Sequence, residues 1–145
     1  GDDDFILGLV ERFVGFELPP WRRRGETAAG IRQDLARHLR DQPAGSFLFV
    51  AEDDDGQRVG FLHLQTTTDF FTGASNCHIS DLAVATGHDG KGVGGALIAY
   101  AERWAREHHC RHVTLAVFPG NARARALYAK HGFGEEMIRM AKAVK

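Results

Sequence analysis

A glycine-rich segment is the part of this sequence whose residue types point most directly to chemistry. Gly90, Gly92, Gly94 and Gly95 fall within six consecutive positions, with Lys91 between the first two. An apolar strand pattern precedes the segment and a helical pattern follows it. Free N–H groups at a helix start, together with the helix dipole, favour phosphate, and glycines let the backbone approach a ligand without a Cβ clash. The segment therefore predicts a phosphate-binding loop.

Two familiar phosphate loops fit this segment poorly. A Walker A loop needs Ser or Thr after Gly-Lys, whereas Gly92 follows Lys91 here. The dinucleotide fingerprint matches as Gly90-x-Gly92-x-x-Gly95 but also needs an acidic residue at the end of the next strand, which ends instead at residues 116–119, Ala-Val-Phe-Pro. A plain connecting loop is disfavoured by the density of glycine. The segment thus favours a phosphate loop of another type.

Hydrophobic periodicity predicts the elements that position this loop. In chain order the patterns predict a helix through residues 5–13, a helix over 27–40, strands over 47–51, 59–65 and 78–84, a helix with an apolar stripe from 93 to 108, a strand over 112–118, and a helix that Asn121 caps and Gly132 ends. Asp55-Gly56 predicts a hairpin between the first two strands. The tail, residues 137–144, fits a strand or a helix equally well. We expect one α/β domain with a single sheet and helices on both faces.

Two motifs in this frame resemble the signatures of the GNAT superfamily of N-acetyltransferases. Asp89-Gly90-Lys91-Gly92-Val93-Gly94 is similar to its pyrophosphate loop, Gln/Arg-x-x-Gly-x-Gly/Ala. Asn121-x-x-Ala124-x-x-Leu127-Tyr128-x-x-x-Gly132-Phe133 is similar to its second signature. The order, the separation and the intervening strand also match, over residues 46–145. The resemblance implies one GNAT-like domain over residues 1–145, with a mixed, mostly antiparallel sheet.

The resemblance also implies the activity and the cosubstrate. The amine of an acceptor would attack the thioester of acetyl-CoA directly, with no metal. The implied cofactor-binding residues are Leu82, Ala83, Val84, Asp89, Gly90, Lys91, Gly92, Val93, Gly94, Gly95, Asn121 and Tyr128. Backbone N–H groups near Ala83 and Val84 would polarise the thioester carbonyl. Tyr128 would protonate the departing thiolate.

The sequence departs from the family pattern at two places. Asp89 stands where the family usually has Gln or Arg, and a carboxylate there is mildly repulsive to a pyrophosphate. The chain starts almost directly in its first helix, so we expect the family's first strand to be missing.

Several residues are candidates for the base that deprotonates the acceptor amine. Many family members carry a carboxylate at the position of Ser80. Regular strand alternation places His78, Ser80, Leu82 and Val84 on one face and Asp81 on the other. His78 is therefore the first candidate, helped by the histidines that the arylalkylamine branch carries on this strand. A solvent-facing role for His78, and a base at Asp81 or Glu52, acting directly or through a water, remain alternatives.

Residues on the acceptor side have two interpretations each. Arg22–Arg24 form either a solvated surface or a lining that favours anionic acceptors over polyamines. Phe70 and Phe71 either wall the acceptor pocket or pack, whereas Tyr100 and Trp104 are expected in the core. The acceptor class stays open among small metabolites, aminoglycosides, peptide N-termini and protein lysines.

Composition bounds the remaining alternatives. The 145 residues suit one domain, and the formal net charge of −1 provides no global field for nucleic acid or an anionic membrane. The longest apolar run, residues 47–51, is far short of a membrane span, and no signal-peptide pattern opens the chain. Cys77 and Cys110 are too few for a disulfide framework or a zinc site. We expect a cytoplasmic enzyme, with a homodimer left open and a non-catalytic acyl-CoA-binding module as the alternative function.

Overall fold

The helices and strands follow in the predicted order in the computed structural model, which describes residues 1–144. The elements are α1 (Asp2–Leu7), a 3-10 helix (Val10–Phe13), α2 (Arg24–Asp41), β1 (Ser46–Glu52), β2 (Arg58–Thr68), β3 (Ser75–Val84), α3 (Val93–Glu107), β4 (His112–Leu115) and α4 (Ala122–Lys130). Within the described residues no strand precedes α1. None of the helices in residues 1–144 is long and apolar enough to cross a bilayer.

A single four-stranded sheet has the order β1-β2-β3-β4. The predicted hairpin joins β1 to β2: the Asp53 carboxylate accepts from the N–H groups of Asp55 at 3.0 Å and Gln57 at 2.8 Å, and Gly56 has a φ of +79°. The β1–β2 and β2–β3 pairs are antiparallel and the β3–β4 pair is parallel. The prediction of a mixed, mostly antiparallel sheet is confirmed.

Helices cover both faces of this sheet, as predicted. On one face α1, the 3-10 helix and α2 bury Ile6, Val10 and Leu35 against Phe61 and Ala83. On the other face α3 buries an apolar stripe against β2 and β3, with members Leu62, Leu64, Ile79, Leu97, Ala101 and Trp104. Trp104 belongs to the core as expected, and Tyr100 packs partly buried beside it.

Several boundaries differ from the sequence prediction, and α2, β2 and β3 each extend about three residues further at one end. The first predicted helix is divided into α1 and the 3-10 helix, with the break at Gly8, where an added Cβ would lie 3.1 Å from the carbonyl oxygen of Asp4. The last predicted strand stops at Leu115 instead of residue 118. The tail, residues 134–144, is neither a strand nor a helix. Apolar runs there suggested regular structure that has no pairing partner among the described residues.

One residue of β3 is left out of the β2–β3 ladder. His63 pairs with Asp81 and Leu64 pairs with Ile79, so Ser80 has no partner and forms a β-bulge. The bulge reverses the side-chain alternation of β3 at this point. Asp81 therefore shares a face with His63 and His78, and the predicted placement of Asp81 opposite His78 is wrong.

The parallel strands β3 and β4 diverge after a short pairing. Their register runs from Asn76–His112 to Ile79–Leu115, whereas β3 continues to Val84. Beyond Ile79 the edge of β3 therefore faces an opening in the sheet instead of β4.

Candidate active site

Two cavities meet at the bulge in β3. The first, which we term the strand cleft, has a volume of about 290 Å³ and lies between the diverging strands, lined by Ile79–Val84, Leu115–Phe118 and side chains of α4. The second, termed the α2 pocket, has a volume of about 460 Å³ and is lined mainly by α2 and the residues before it. Ser80, Asp81, Ile31 and Phe118 line both cavities. Two ligands, one in each cavity, could therefore contact each other beside Asp81.

The glycine loop precedes α3 beside the strand cleft. Gly90 and Gly92 have φ values of +78° and +83°, which L side chains rarely adopt, and a Cβ at either position would meet nothing within 4 Å. Gly94 and Gly95 serve a different purpose, since their added Cβ atoms would lie 2.9 Å from Leu127 Cδ2 and 3.1 Å from His131 Nε2. The first pair leaves open space beside the loop, and the second pair lets α3 approach α4 closely.

Asp89 is held by two arginines. The Arg12 guanidinium donates to Asp89 Oδ1 at 2.6 Å, and the Arg123 guanidinium lies 3.1 Å from the same oxygen. The hydrogen bond from Arg12, reinforced by both positive charges, lowers the pKa of the Asp89 carboxyl. All three side chains line the strand cleft, so the expected repulsion of an anion by Asp89 is offset locally.

Tyr128 lies in the wall of the strand cleft on α4. Asn121 starts this helix as predicted, because its Oδ1 accepts the N–H of Ala124 at 3.2 Å. Burial, together with the negative charge of Asp81, raises the pKa of the Tyr128 phenol, which therefore stays protonated at neutral pH. A protonated phenol beside the cleft can donate a proton to a leaving group.

Six of the twelve predicted cofactor-binding residues line the strand cleft. They are Leu82, Ala83, Val84, Asp89, Asn121 and Tyr128. The other six, Gly90 to Gly95, form the glycine loop and the first turn of α3.

Asp81 is the carboxylate that both cavities share. Its side chain is 12% exposed, and Oδ2 lies 2.9 Å from Nδ1 of the fully buried His63. His78 is on the same face, but its Nδ1 lies 2.8 Å from Thr114 Oγ1, and burial lowers its pKa. Neither His78 nor Glu52, the third candidate base, is among the described residues that line the two cavities.

Sequence reasoning missed a buried polar network behind Asp81. His63, Ser46 and His38 continue from Asp81 through hydrogen bonds into the space under α2. One signal was available, since His38 lies between Leu35 and Leu39 on the apolar stripe of α2. The partners come from three separate elements, so their contact could not be read from spacing.

The α2 pocket carries more negative than positive side chains. Glu26, Asp34 and Asp81 line it together with Arg22. Arg24 is occupied elsewhere, because its guanidinium donates to the carbonyl oxygens of Val14 at 2.7 Å and Phe16 at 2.8 Å. The suggestion of an anion-selective lining from Arg22–Arg24 is thus not supported by the composition of the pocket.

The two phenylalanines of the β2–β3 connection lie outside both cavities. Phe70 and Phe71 are 91% and 69% exposed and contact each other edge to face. Of the two interpretations from the sequence, the pocket wall does not describe them, whereas they do pack, against each other at the surface.

Comparison with known proteins defines the class of this protein. The sequence model of the family described as "Acetyltransferase (GNAT) family" matches residues 9–133. The chain therefore belongs to the GNAT acetyltransferase family, and the resemblance found in its sequence motifs is confirmed.

Two curated relatives are named for particular acceptors. Streptothricin acetyltransferase of Streptomyces lavendulae is 36% identical over 92 residues, covering 63% of this chain and 47% of the relative. Aminoglycoside N(6')-acetyltransferase type 1 of Stenotrophomonas maltophilia is 29% identical over 106 residues, covering 71% of this chain and 68% of the relative. The chain thus spans about half the length of the streptothricin enzyme.

Solved structures share the fold at lower identity. A putative acetyl transferase from Pyrococcus furiosus has a TM-score of 0.77 at 23% identity, with 97% of this chain and 93% of that chain covered. AAC(6')-Iy in complex with the bisubstrate analog CoA-S-monomethyl-acetylneamine has a TM-score of 0.67 at 22% identity, with 99% and 92% covered. These neighbours confirm the predicted fold class.

Proposed function

We propose that this protein transfers an acetyl group from acetyl-CoA to a primary amine of a small cationic molecule. The observation that carries the proposal is the meeting of two cavities at Asp81, with Tyr128 in the wall of the first. Membership of the GNAT family supports the reaction type. The two helical layers pack on opposite faces of the same sheet, which supports a single catalytic domain.

The strand cleft suits the donor. Amides of the glycine loop at the start of α3 would bind the pyrophosphate, with Arg12 and Arg123 adding positive charge. The unpaired edge of β3 beyond Ile79 leaves N–H groups near Ala83 and Val84 to donate to the thioester carbonyl. The cleft would thus bind the donor and stabilise the oxyanion of the transition state.

Asp81 is the base that we favour. An alkylammonium has a pKa of about 10.4 and must lose a proton before its nitrogen can attack. Asp81 reaches both cavities, whereas His78 is engaged with Thr114 and remains a prediction from the sequence. Asp81 would take one proton from the ammonium, and the neutral nitrogen would then bond to the acetyl carbon. As the carbon–sulfur bond breaks, Tyr128 would protonate the sulfur, and the second proton that the nitrogen loses on becoming an amide would restore the phenol.

The α2 pocket suits a cationic acceptor. Three carboxylates face one arginine in this pocket, so ammonium groups of the acceptor would gain favourable electrostatic contacts. The two relatives named for streptothricin and aminoglycosides agree with this charge preference.

A thiol-release assay with matched amines tests the proposal. We expect a higher kcat/KM for streptothricin, an aminoglycoside or a polyamine than for glutamate or an amino-sugar phosphate. Glu26→Gln should raise KM for the cationic acceptors without changing KM for acetyl-CoA. Preference for the anionic amines would overturn the acceptor class. CoA binding without thiol release from any amine would instead indicate the non-catalytic module.

A further inference from the structure

A continuous chain of hydrogen bonds runs from α2 to Asp81 beneath the α2 pocket. His38 Nδ1 lies 2.7 Å from Ser46 Oγ, and Ser46 Oγ lies 2.8 Å from His63 Nε2. His63 Nδ1 then lies 2.9 Å from Asp81 Oδ2. His63 is fully buried and His38 is 5% exposed, so water has little access to the two rings on either side of the partly buried Ser46.

Arg37 fixes the direction of this chain. Its guanidinium NH2 lies 3.1 Å from His38 Nε2, as does the side-chain nitrogen of Gln65. An arginine carries no acceptor, so this ring nitrogen accepts. Asp34 Oδ1 lies 3.5 Å from the same nitrogen and accepts from Arg37 at 3.0 Å. A proton on His38 Nε2 would therefore point into a position that Arg37 already occupies.

The acceptor role of His38 Nε2 determines which atom donates in each later hydrogen bond of the chain. Neutral His38 carries its proton on Nδ1 and donates it to Ser46. The Ser46 hydroxyl has a single proton, which goes to His63 Nε2. Neutral His63 then carries its proton on Nδ1 and donates it to Asp81. The chain has one polarity and ends on the carboxylate.

We propose that His63, Ser46 and His38 are positioning residues that keep the Asp81 carboxylate ionised and oriented toward the two cavities. The proposal rests on the proposed function, in which Asp81 is the base. A hydrogen bond donated to the charged form stabilises that form, and a fixed donor also selects one orientation of the carboxylate. Burying these polar groups costs free energy that an apolar core would not, which is reason to seek a function for them.

Other charged groups also act on Asp81. His63 on β2, His78 on β3 and Tyr128 on α4 surround it, and Arg22, Glu26 and Asp34 share the α2 pocket. Arg12, Asp89 and Arg123 line the strand cleft. Among the described residues, His63 is the side chain that hydrogen-bonds to the Asp81 carboxylate.

Ring-nitrogen NMR of the unliganded protein tests the chain directly. Two-bond proton–nitrogen spectra of the histidines should show His38 and His63 as neutral Nδ1–H tautomers at pH 7. The exposed His112 serves as the internal reference for a solvated ring. Nε2–H tautomers or charged rings at His38 and His63 would overturn the proposal, whatever the enzyme assay shows.

Two matched pairs of variants test the consequence for Asp81. His63→Asn keeps an N–H near the position of Nδ1, whereas His63→Leu removes it. Ser46→Thr keeps the hydroxyl, whereas Ser46→Ala removes it, and this milder pair serves if His63→Leu does not fold. The variants His63→Leu and Ser46→Ala should move the acid limb of the kcat/KM profile to higher pH. They should also lower kcat/KM at pH 6.5 about tenfold. The conservative variants His63→Asn and Ser46→Thr should restore much of the wild-type acid limb and of the wild-type kcat/KM at pH 6.5.

The readouts separate a structural role from a positioning role. If His63→Leu and Ser46→Ala lower the melting temperature but leave the acid limb of the kcat/KM profile unmoved, the positioning role toward Asp81 is overturned. A wild-type kcat/KM in the Asp81→Asn variant would instead overturn Asp81 as the base, and thus the proposed function. The NMR spectra would still show whether the hydrogen-bond chain has the direction inferred here.

Discussion

Arg12 donates to Asp89 across 77 residues of sequence, linking the 3-10 helix to the start of the glycine loop. Arg123 of α4 lies 3.1 Å from the same carboxylate oxygen. Asp89 thus arranges two guanidinium groups at the glycine loop instead of contributing only a negative charge. Asp89, which departs from the family pattern, is thus paired with two arginines, Arg12 and Arg123.

Arg12→Ala and Arg123→Ala should each weaken CoA binding about tenfold, because a charge-assisted contact to phosphate is lost. Titration calorimetry with CoA and with pantetheine measures this, since pantetheine has no phosphate. Arg106→Ala, on the exposed last turn of α3, is the control. An equal loss of pantetheine affinity would point to damage of the cleft and contradict the phosphate role.

Addition of CoA should raise the melting temperature, because a ligand that binds only the native state stabilises it. Gly92→Asp should abolish the rise by placing a carboxylate beside the phosphates. Gly56→Asp is the matched control, since Gly56 has a similar φ of +79° and open space but lies in the β1–β2 turn. A larger rise with NAD than with CoA would contradict the assignment of the loop.

Tyr128→Phe should lower kcat by about 10²–10⁴-fold with little change in acetyl-CoA affinity, because only the hydroxyl donates to the thiolate. The ring would still pack against Phe133, whose centroid lies 5.7 Å away. Steady-state kinetics and thermal melts of the same preparation measure both effects. A Phe variant within a factor of two of wild type on a true acceptor would eliminate the general-acid role.

Asp81→Asn and His78→Ala should separate the two candidate bases. The Asn variant should lose about 10²–10⁴-fold in kcat/KM at pH 7 and recover part of it at pH 9, where more of the amine is already neutral. His78→Ala should change kcat/KM less, since its imidazole contacts Thr114 and not the cavities. The reverse order of effects would restore His78 as the base.

Stability should fall as the pH drops below about 6.5. Burial lowers the pKa of His38 and of His78 from the ordinary value of 6.5. The unfolded chain then binds more protons than the folded protein as the pH falls toward the folded-state pKa, so the free energy of unfolding decreases. Urea unfolding at pH 7.5 and pH 5.5 should show a smaller decrease for His78→Leu than for wild type. His112→Gln, at an exposed position, should leave the decrease unchanged.

Local signals account for what could be predicted from sequence. The glycines before α3, the cap at Asn121 and the Asp-Gly hairpin act within a few residues, so spacing alone identified them. Both faces of the sheet were also predicted, because apolar residues recur with the period of each element.

The position of Asp81, the base that we propose, depends on a feature that residue spacing does not contain. The bulge at Ser80 arises from the register between β2 and β3, which regular alternation cannot anticipate. Asp81 was therefore assigned to the wrong face. The His38–Ser46–His63 chain needs α2, β1 and β2 in contact, and nothing local in the sequence brings them together.

Leaving Ser80 unpaired decides which face of the sheet the later residues of β3 occupy. A ladder in which Ser80 paired with His63 would have no bulge, and the residues after Ser80 would turn over relative to those before it. With residues 76–79 held in place by β4, this regular strand would turn Asp81 toward the apolar layer under α3 and Leu82 toward the α2 side. The more regular sheet would thus belong to a protein without its shared carboxylate, so the proposed role of Asp81 depends on an irregularity of the sheet.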